Sequence, residues 1–163
     1  MENITFRYAC EEDCGLILSL IKELAEYENL SDEVIADESL LSNSIFKEGS
    51  AEVIFPCVNG REIGFALFFH NYSTFLGRKG LYLEDLYIKQ EFRGRGYGKA
   101  TLKKLAQIAC ERGCGRLEWS CLDSNIPAVD FYLSLGARPM DEWTVYRLTG
   151  DTLKNLAEER DDP

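Results

Sequence analysis

A chain of 163 residues, 45% hydrophobic and 28% charged, has the make-up of one globular domain able to bury about 70% of its unfolded surface. Its net charge of −10 argues against nucleic acid as a partner, since a phosphate backbone would be repelled, and is compatible with a cationic substrate or with an acidic surface that simply solubilises. No signal peptide or transmembrane run stands out, so neither secretion nor a membrane is expected.

Six cysteines occur, at Cys10, Cys14, Cys57, Cys110, Cys114 and Cys121, with no C-x-x-C pair among them. That usage fits a reducing, cytoplasmic setting. The single histidine, His70, sits in a strand pattern, so no metal site is expected and a thiol nucleophile would lack its usual base.

Ile4 to Tyr8 alternates as a first strand, and Glu11, Glu12 and Asp13 then place negative charge at a helix N-terminus. Leu16, Ile17, Leu20, Ile21 and Leu24 form the apolar stripe of that helix, which runs out near Glu28 and Asn29. Asp37 is placed to cap a second, short helix carrying Leu40, Leu41 and Ile45. Ala51 to Val58 reads as a strand, Asn59-Gly60 as a hairpin turn, and Ile63 to Tyr72 as the returning strand.

The next strand puts Tyr82, Glu84, Leu86 and Ile88 on one face and Leu83, Asp85 and Tyr87 on the other. A second long helix follows, with Leu102, Leu105, Ala106 and Ala109 on its stripe, and Gly113-Cys114-Gly115 stops it. Leu117 to Leu122 is a further strand. Ile126 to Leu135 is a helix with Pro127 in its first turn and Gly136 past its end. Trp143 to Leu148 is expected as a last strand and Asp151 to Glu159 as a terminal helix. Nothing resembling a linker divides the chain, so 1–163 is expected as one domain of mixed α/β class.

Between the central strand and the long helix lies Arg93-Gly94-Arg95-Gly96-Tyr97-Gly98. Glycines at every second position let successive N–H groups turn into one concavity at a helix N-terminus, an anion cradle. It is not a Walker A loop, because Gly98-Lys99 is preceded five positions earlier by Arg93 and followed by Ala100. It is not a dinucleotide fingerprint either, since Lys99 stands where the third glycine belongs. From Lys89 to Lys104 there are six basic residues, Lys89, Arg93, Arg95, Lys99, Lys103 and Lys104, and one acid, Glu91. A basic island on an acidic body suits phosphate groups, although Lys103 and Lys104 serve equally as a solvated helix face.

The loop resembles the Q/R-x-x-G-x-G/A loop of the GNAT superfamily of acyl-CoA-dependent N-acetyltransferases, with Arg93, Gly96 and Gly98 at the matching positions. The resemblance implies a central, mostly antiparallel sheet, splayed between its middle strands and flanked by helices. It also implies acetyl-CoA as cosubstrate, its diphosphate held by Arg93, Gly94, Arg95, Gly96, Tyr97, Gly98 and Lys99. Main chain at Leu86 and Ile88, where the strands splay, would meet the pantetheine arm and support the thioester oxygen.

Ser124 to Ala137 resembles the family's N-x-x-A-x-x-F/L-Y-x-x-x-G-A segment, with Tyr132 at the tyrosine position. The resemblance makes Tyr132 the proton donor to the departing thiolate; a helix aromatic packed in a core is the plainer alternative. Asn125 either contacts the cofactor or caps its helix. An alkylamine has a pKa of roughly 10 and needs help losing its proton at neutral pH. Glu84, an acid inside an otherwise apolar strand, is the candidate base, with a solvent-facing or ion-paired strand residue as the alternative. Asp85 either binds a cation or pairs with an arginine.

The segments IKELAEYE, LYLEDLYI, FRGRGYG and FYLSLGA resemble the diamine (spermidine/spermine) acetyltransferases and their thialysine-acetylating relatives. On that basis Tyr27, Glu28, Glu84 and Asp85 match positions near the acceptor groove, and a homodimer is implied. Two departures stand out. Tyr72-Ser73-Thr74-Phe75 stands where the polyamine enzymes carry Y-D-P-W, losing an acid, and Ser124 replaces a tryptophan found in both branches. The first looks more like the thialysine type, so a shorter or lysine-like amine is implied as much as a polyamine. The expected activity is acetyl transfer to a primary amine of a small cationic acceptor, by direct attack in a ternary complex. A CoA-binding sensor without turnover and a protein N-acetyltransferase are the alternatives.

Overall fold

Residues 2–159 are described by the structure, a computed structural model. They fall into two compact units, 2–120 and 121–159.

The first unit is a mixed α/β layer built on a mostly antiparallel sheet. Its strands are β1 (Ile4–Tyr8), β2 (Glu52–Val58), β3 (Arg61–Glu62), β4 (Gly64–Ser73), β5 (Arg78–Ile88) and β6 (Leu117–Trp119). They lie in the order β1-β2-β4-β5-β6, with β3 also against β2. Among the described strands only β5 and β6 run parallel, and the connection between them is a crossover long enough to hold a helix. Asn59 and Gly60 make the β2–β3 turn with φ of 50° and 74°, the left-handed pair that matches strand twist in a two-residue hairpin.

Helix α1 (Cys14–Tyr27) buries Ile17 and Leu20 completely against Val53, Phe55, Cys57, Phe65 and Tyr87 on one face of the sheet. Leu16, Ile21 and Leu24 of the expected stripe pack at the edge of that cluster. The helix stops at Asn29, whose φ is 58°, with Leu30 N–H bonded to the Ala25 carbonyl and Asn29 N–H to that of Glu26. This is the paired C-terminal closure that satisfies the last carbonyls. Ahead of α1, Arg7 grips Asp13 at 2.8 and 3.0 Å and Glu62 at 2.8 Å, tying the β1–α1 junction to β3. Asp37 caps the short α2 (Glu38–Leu41) by accepting from Leu40 N–H at 2.8 Å, and a π-helical turn, Ser42–Lys47, continues it.

Helix α3 (Tyr97–Glu111) covers the opposite face, where Tyr97 joins Val58, Ile63 and Ile88. Its buried stripe is Thr101, Leu102, Leu105, Ile108 and Ala109; Ala106, expected there, is exposed. Ile108 lies three residues beyond Leu105 and closes the face that Ala106 would only edge.

The second unit holds α4 (Ile126–Ser134) and α5 (Gly150–Glu158). Gly136, with φ of 88°, follows the end of α4. Two strand expectations are corrected. β6 ends at Trp119 rather than Leu122, and Trp143 to Leu148 is not a strand. Trp143, Val145 and Tyr146 are 76%, 83% and 91% exposed. An alternating sequence becomes a strand only with a neighbour to complete its ladder, and none of the described strands pairs with this stretch.

Candidate active site

The site is built on β5. Leu67 pairs with Asp85, but the next residue of β4, Phe68, pairs with Leu83, so Glu84 is an extra residue in a β-bulge. Cross-strand partners share a face, so the bulge breaks the alternation expected along this strand. Leu83 lies with Leu86 and Ile88 on the α3 side. Asp85 lies with Tyr87 on the α1 side, opposite Leu67. Glu84, at the kink, is exposed and Asp85 is half-buried.

The other edge of β5 is the splayed one. β6 pairs with it only from Leu81 to Leu83. Beyond Leu83 no described strand pairs with that edge, and the main chain at Leu86 and Ile88 lies in this opened stretch.

The glycine loop leads from β5 into α3. Gly94 has φ of 72° and Gly96, the residue capping α3, has φ of 85°, a region that side-chain-bearing residues avoid. A Cβ built on Gly98, whose φ is not left-handed, meets nothing within 4 Å, so the fold itself does not require glycine there. The first N–H of α3 to bond back is that of Ala100, to the Gly96 carbonyl at 3.0 Å. Helix geometry leaves the N–H groups of Tyr97, Gly98 and Lys99 outside that ladder, at the positive end of a 15-residue helix. These features fit a diphosphate. Arg95 and Lys99 are exposed beside them. The Tyr97 side chain is core, 2% exposed, and only its main chain can serve an anion.

Arg93 is committed to the protein. Its Nε donates to the Ile88 carbonyl at 2.7 Å, and its guanidinium stacks 4.0 Å from the Tyr27 ring centroid and 5.2 Å from that of Tyr87. Sequence spacing marked Arg93 for the cofactor and Tyr27 for the acceptor, but nothing in it paired the two.

Of the acceptor residues expected from the sequence, Glu84 and Glu28 lie near enough to Asp85 for their charges to act on it. Burial is the main cause that lifts the Asp85 carboxyl to about 6, with the charges of Glu84 and Glu28 adding to it. No described Lys or Arg pairs with Asp85, so of the two roles left open for it, the arginine pair is not the one formed. A half-buried carboxylate among like charges is a place for a cation. His70, by contrast, lies with Arg112 and Glu52 and takes no part in this cluster.

In the second unit, the Asn125 side chain accepts from Ala128 N–H at 3.4 Å and caps α4. Tyr132 is half-buried on α4, its ring centroid 5.6 Å from that of Phe131. Burial, and then the neighbouring Cys121, push its hydroxyl above the ordinary phenol range.

Residues 17–137 match the Acetyltransferase (GNAT) family. Thialysine N-epsilon-acetyltransferase of Bos taurus is 40% identical, over 96% of this chain and 99% of its own. The Caenorhabditis elegans protein of that name is 32% identical, over 98% of this chain and 100% of its own. Spermidine/spermine N(1)-acetyltransferase-like protein 1 of Homo sapiens is 32% identical over 96% of this chain, which spans 24% of that longer protein. Among solved structures, an integron cassette protein of V. cholerae superposes with a TM-score of 0.81 at 28% identity, covering 98% of this chain and 100% of that one. The glycine cradle at the head of α3, the splayed edge of β5 and these relatives lead to one assignment: the chain belongs to the GNAT family of acetyltransferases and is an acyltransferase.

Proposed function

We propose that this acetyltransferase transfers the acetyl group of acetyl-CoA to a primary amine of a small cationic acceptor of the thialysine class, by direct attack in a ternary complex. The observation that carries the reading is Asp85, a half-buried carboxylate with no described Lys or Arg paired to it and with Glu84 and Glu28 close enough to raise its proton affinity. The names of the relatives, thialysine and spermidine/spermine acetyltransferases, support the same class of acceptor. The Tyr72-Ser73-Thr74-Phe75 segment, which lacks the acid of the polyamine enzymes, supports the shorter, lysine-like acceptor over polyamines.

Acetyl-CoA, when bound, supplies the acetyl group as a thioester. Main-chain N–H groups of Gly94, Gly96, Tyr97, Gly98 and Lys99, with the Arg95 and Lys99 side chains, hold its diphosphate. Main chain at Leu86 and Ile88 orients the pantetheine arm and supports the carbonyl oxygen. Asp85 and Glu28 hold the acceptor ammonium beside the Tyr27 ring. Glu84, exposed at the bulge, takes the proton that the ammonium must lose, directly or through water, and passes it to solvent. Tyr132 gives a proton to the departing sulfur, and Asn125 fixes the start of its helix.

We further read 1–163 as one catalytic domain, a reading supported by the span of the family match from 17 to 137. A homodimer is supported by the exposed apolar run at Trp143, Val145 and Tyr146, which a partner would cover. Six free thiols support a cytoplasmic setting.

The deciding experiment measures CoA thiol release by the purified chain with thialysine, lysine, ornithine, spermidine and lysine-containing peptides. Fastest turnover is expected with thialysine. Tight CoA binding without release for any amine would overturn catalysis in favour of a sensor. Preference for peptides would overturn the small-molecule acceptor.

A further inference from the structure

We infer that Arg93 is a positioning residue that mechanically joins the acyl-carrier loop to the acceptor end of α1. Occupancy of the loop by the CoA moiety thereby steadies Tyr27 and Glu28. The inference rests on the proposed function in that it takes the glycine loop as the carrier site.

The geometry is specific to three groups. Arg93 immediately precedes Gly94, where the chain turns into the left-handed region, so its Cα is the first point of the cradle. Its Nε is fixed on the Ile88 carbonyl at 2.7 Å, at the end of the splayed strand. Its guanidinium face then lies 4.0 Å from the Tyr27 ring, with Tyr87 also in reach at 5.2 Å. Tyr27 is the last residue of α1 and is 61% exposed. Apart from this stack, little else holds its ring.

Two consequences follow. The guanidinium spends its Nε and one face on the protein, so Arg93 differs in role from Arg95 and Lys99, which are exposed at the same loop. And the last turn of α1, which carries Tyr27 and Glu28, cannot fray without unstacking Arg93, while the loop cannot shift without pulling on the same stack. A ligand that orders the loop must therefore also disfavour opening of that turn. By linkage, ordering the turn favours the ligand to the same degree. Cofactor and acceptor sides are thus coupled through one planar contact. A lysine at position 93 would keep the charge and lose the plane.

Hydrogen exchange read by mass spectrometry tests this with CoA as the probe, at concentrations that saturate each protein. In the wild type, CoA is expected to slow exchange in residues 93–100 and also, by about 5-fold or more, in residues 24–30. Tyr27→Phe, which keeps a ring face, should retain both effects. Arg93→Lys and Tyr27→Ala should keep protection of the loop and lose that of residues 24–30. A contribution of Arg93 to stability alone would slow exchange at 24–30 equally with and without CoA, and that result would overturn the link. So would protection of 24–30 that survives Arg93→Lys, since it would mean CoA reaches the helix end directly. No protection anywhere in the wild type would overturn the carrier site, and the link with it. Loop protection without any at 24–30 would overturn the link alone.

Discussion

Leu67 and Asp85 face each other across β4 and β5, one step before the register slips to pair Phe68 with Leu83. The slip leaves Glu84 unpaired and exposed while carrying Asp85 onto the α1 side of the sheet. Two adjacent carboxylates are thereby given different environments, and different environments separate acid–base roles. Asp85 is held where ionisation is disfavoured, and Glu84 stays in contact with water.

That difference makes Asp85 a cost to the empty protein. Its carboxyl titrates near 6 in the fold, against 3.8 for an ordinary aspartate. Because the folded state binds the proton more tightly, the residue lowers stability as pH rises from about 4 to about 6, and the deficit then stays constant. Asp85→Asn should therefore raise the unfolding free energy at pH 8 and leave it nearly unchanged at pH 3.5. The gain is bounded at about 3 kcal/mol and reduced by the solvent that still reaches the side chain. Urea unfolding at the two pH values measures it. In the same variant the amine KM should rise and lose its decrease between pH 5 and 7.

Glu84→Gln should act on rate rather than on stability, because the side chain is exposed at the bulge. Loss of a general base typically slows turnover by about 100-fold or more and moves the rise of rate with pH upward. The amine KM should change little. A pH–rate profile that overlays the wild type would remove the base assignment.

Gly98 separates ligand space from fold space. A methyl group at this position meets no atom of the chain, and no left-handed φ forbids it. Gly98→Ala should leave the melting temperature unchanged or raise it, since alanine is the better helix residue by about 0.5–1 kcal/mol. CoA affinity should nonetheless fall about 10-fold or more. Isothermal titration beside a thermal melt gives both numbers, and undiminished affinity would remove main-chain approach at this position.

Much of this architecture is legible in the sequence because its signals are local. Asn59-Gly60, the Asp37 cap and the Gly96 start of α3 depend on φ values and hydrogen bonds within a few residues. What is not legible is set by partners distant in sequence. The bulge at Glu84 arises from how β4 lies on β5. The stack of Arg93 on Tyr27 joins residues separated in sequence by four strands, β2 to β5. Trp143 to Leu148 shows the converse, since its alternation is plain yet no described neighbour completes it. Periodicity reports which residues avoid water, and the ladder partner decides whether they become a strand.

Arg112 predicts a stability effect remote from the chemistry. At the end of α3 its guanidinium makes two bonds to the Glu52 carboxylate of β2, at 2.5 and 2.9 Å, and lies 5.8 Å from the centroid of Phe68. The paired bonds hold the Glu52 carboxyl below its usual range against the opposing effect of burial. Arg112→Ala should lower stability by about 1–2 kcal/mol at pH 7, lowering the melting temperature by several degrees. The stabilisation is present above the ordinary glutamate pKa of about 4.3 and is lost as pH falls below it. Wild type and variant should therefore converge near pH 3. A difference that persists there would assign the effect to packing on Phe68 instead.

Tyr132 is expected to act as the acid. A phenol held above its usual range by burial, and then by Cys121, remains protonated throughout the neutral and mildly alkaline range. It can therefore lend a proton to a thiolate formed nearby. Tyr132→Phe keeps the ring and removes the hydroxyl that carries that proton. Turnover should fall about 100-fold, with CoA affinity within about 2-fold of wild type. Cys121→Ser offers a finer reading, because the Cys121 thiol is itself pushed up by burial and by Asp123. Removing a group that turns anionic at high pH should allow Tyr132 to ionise earlier, shifting the alkaline fall of the rate to lower pH. A variant at position 132 with unchanged turnover would take the proton donor away from α4.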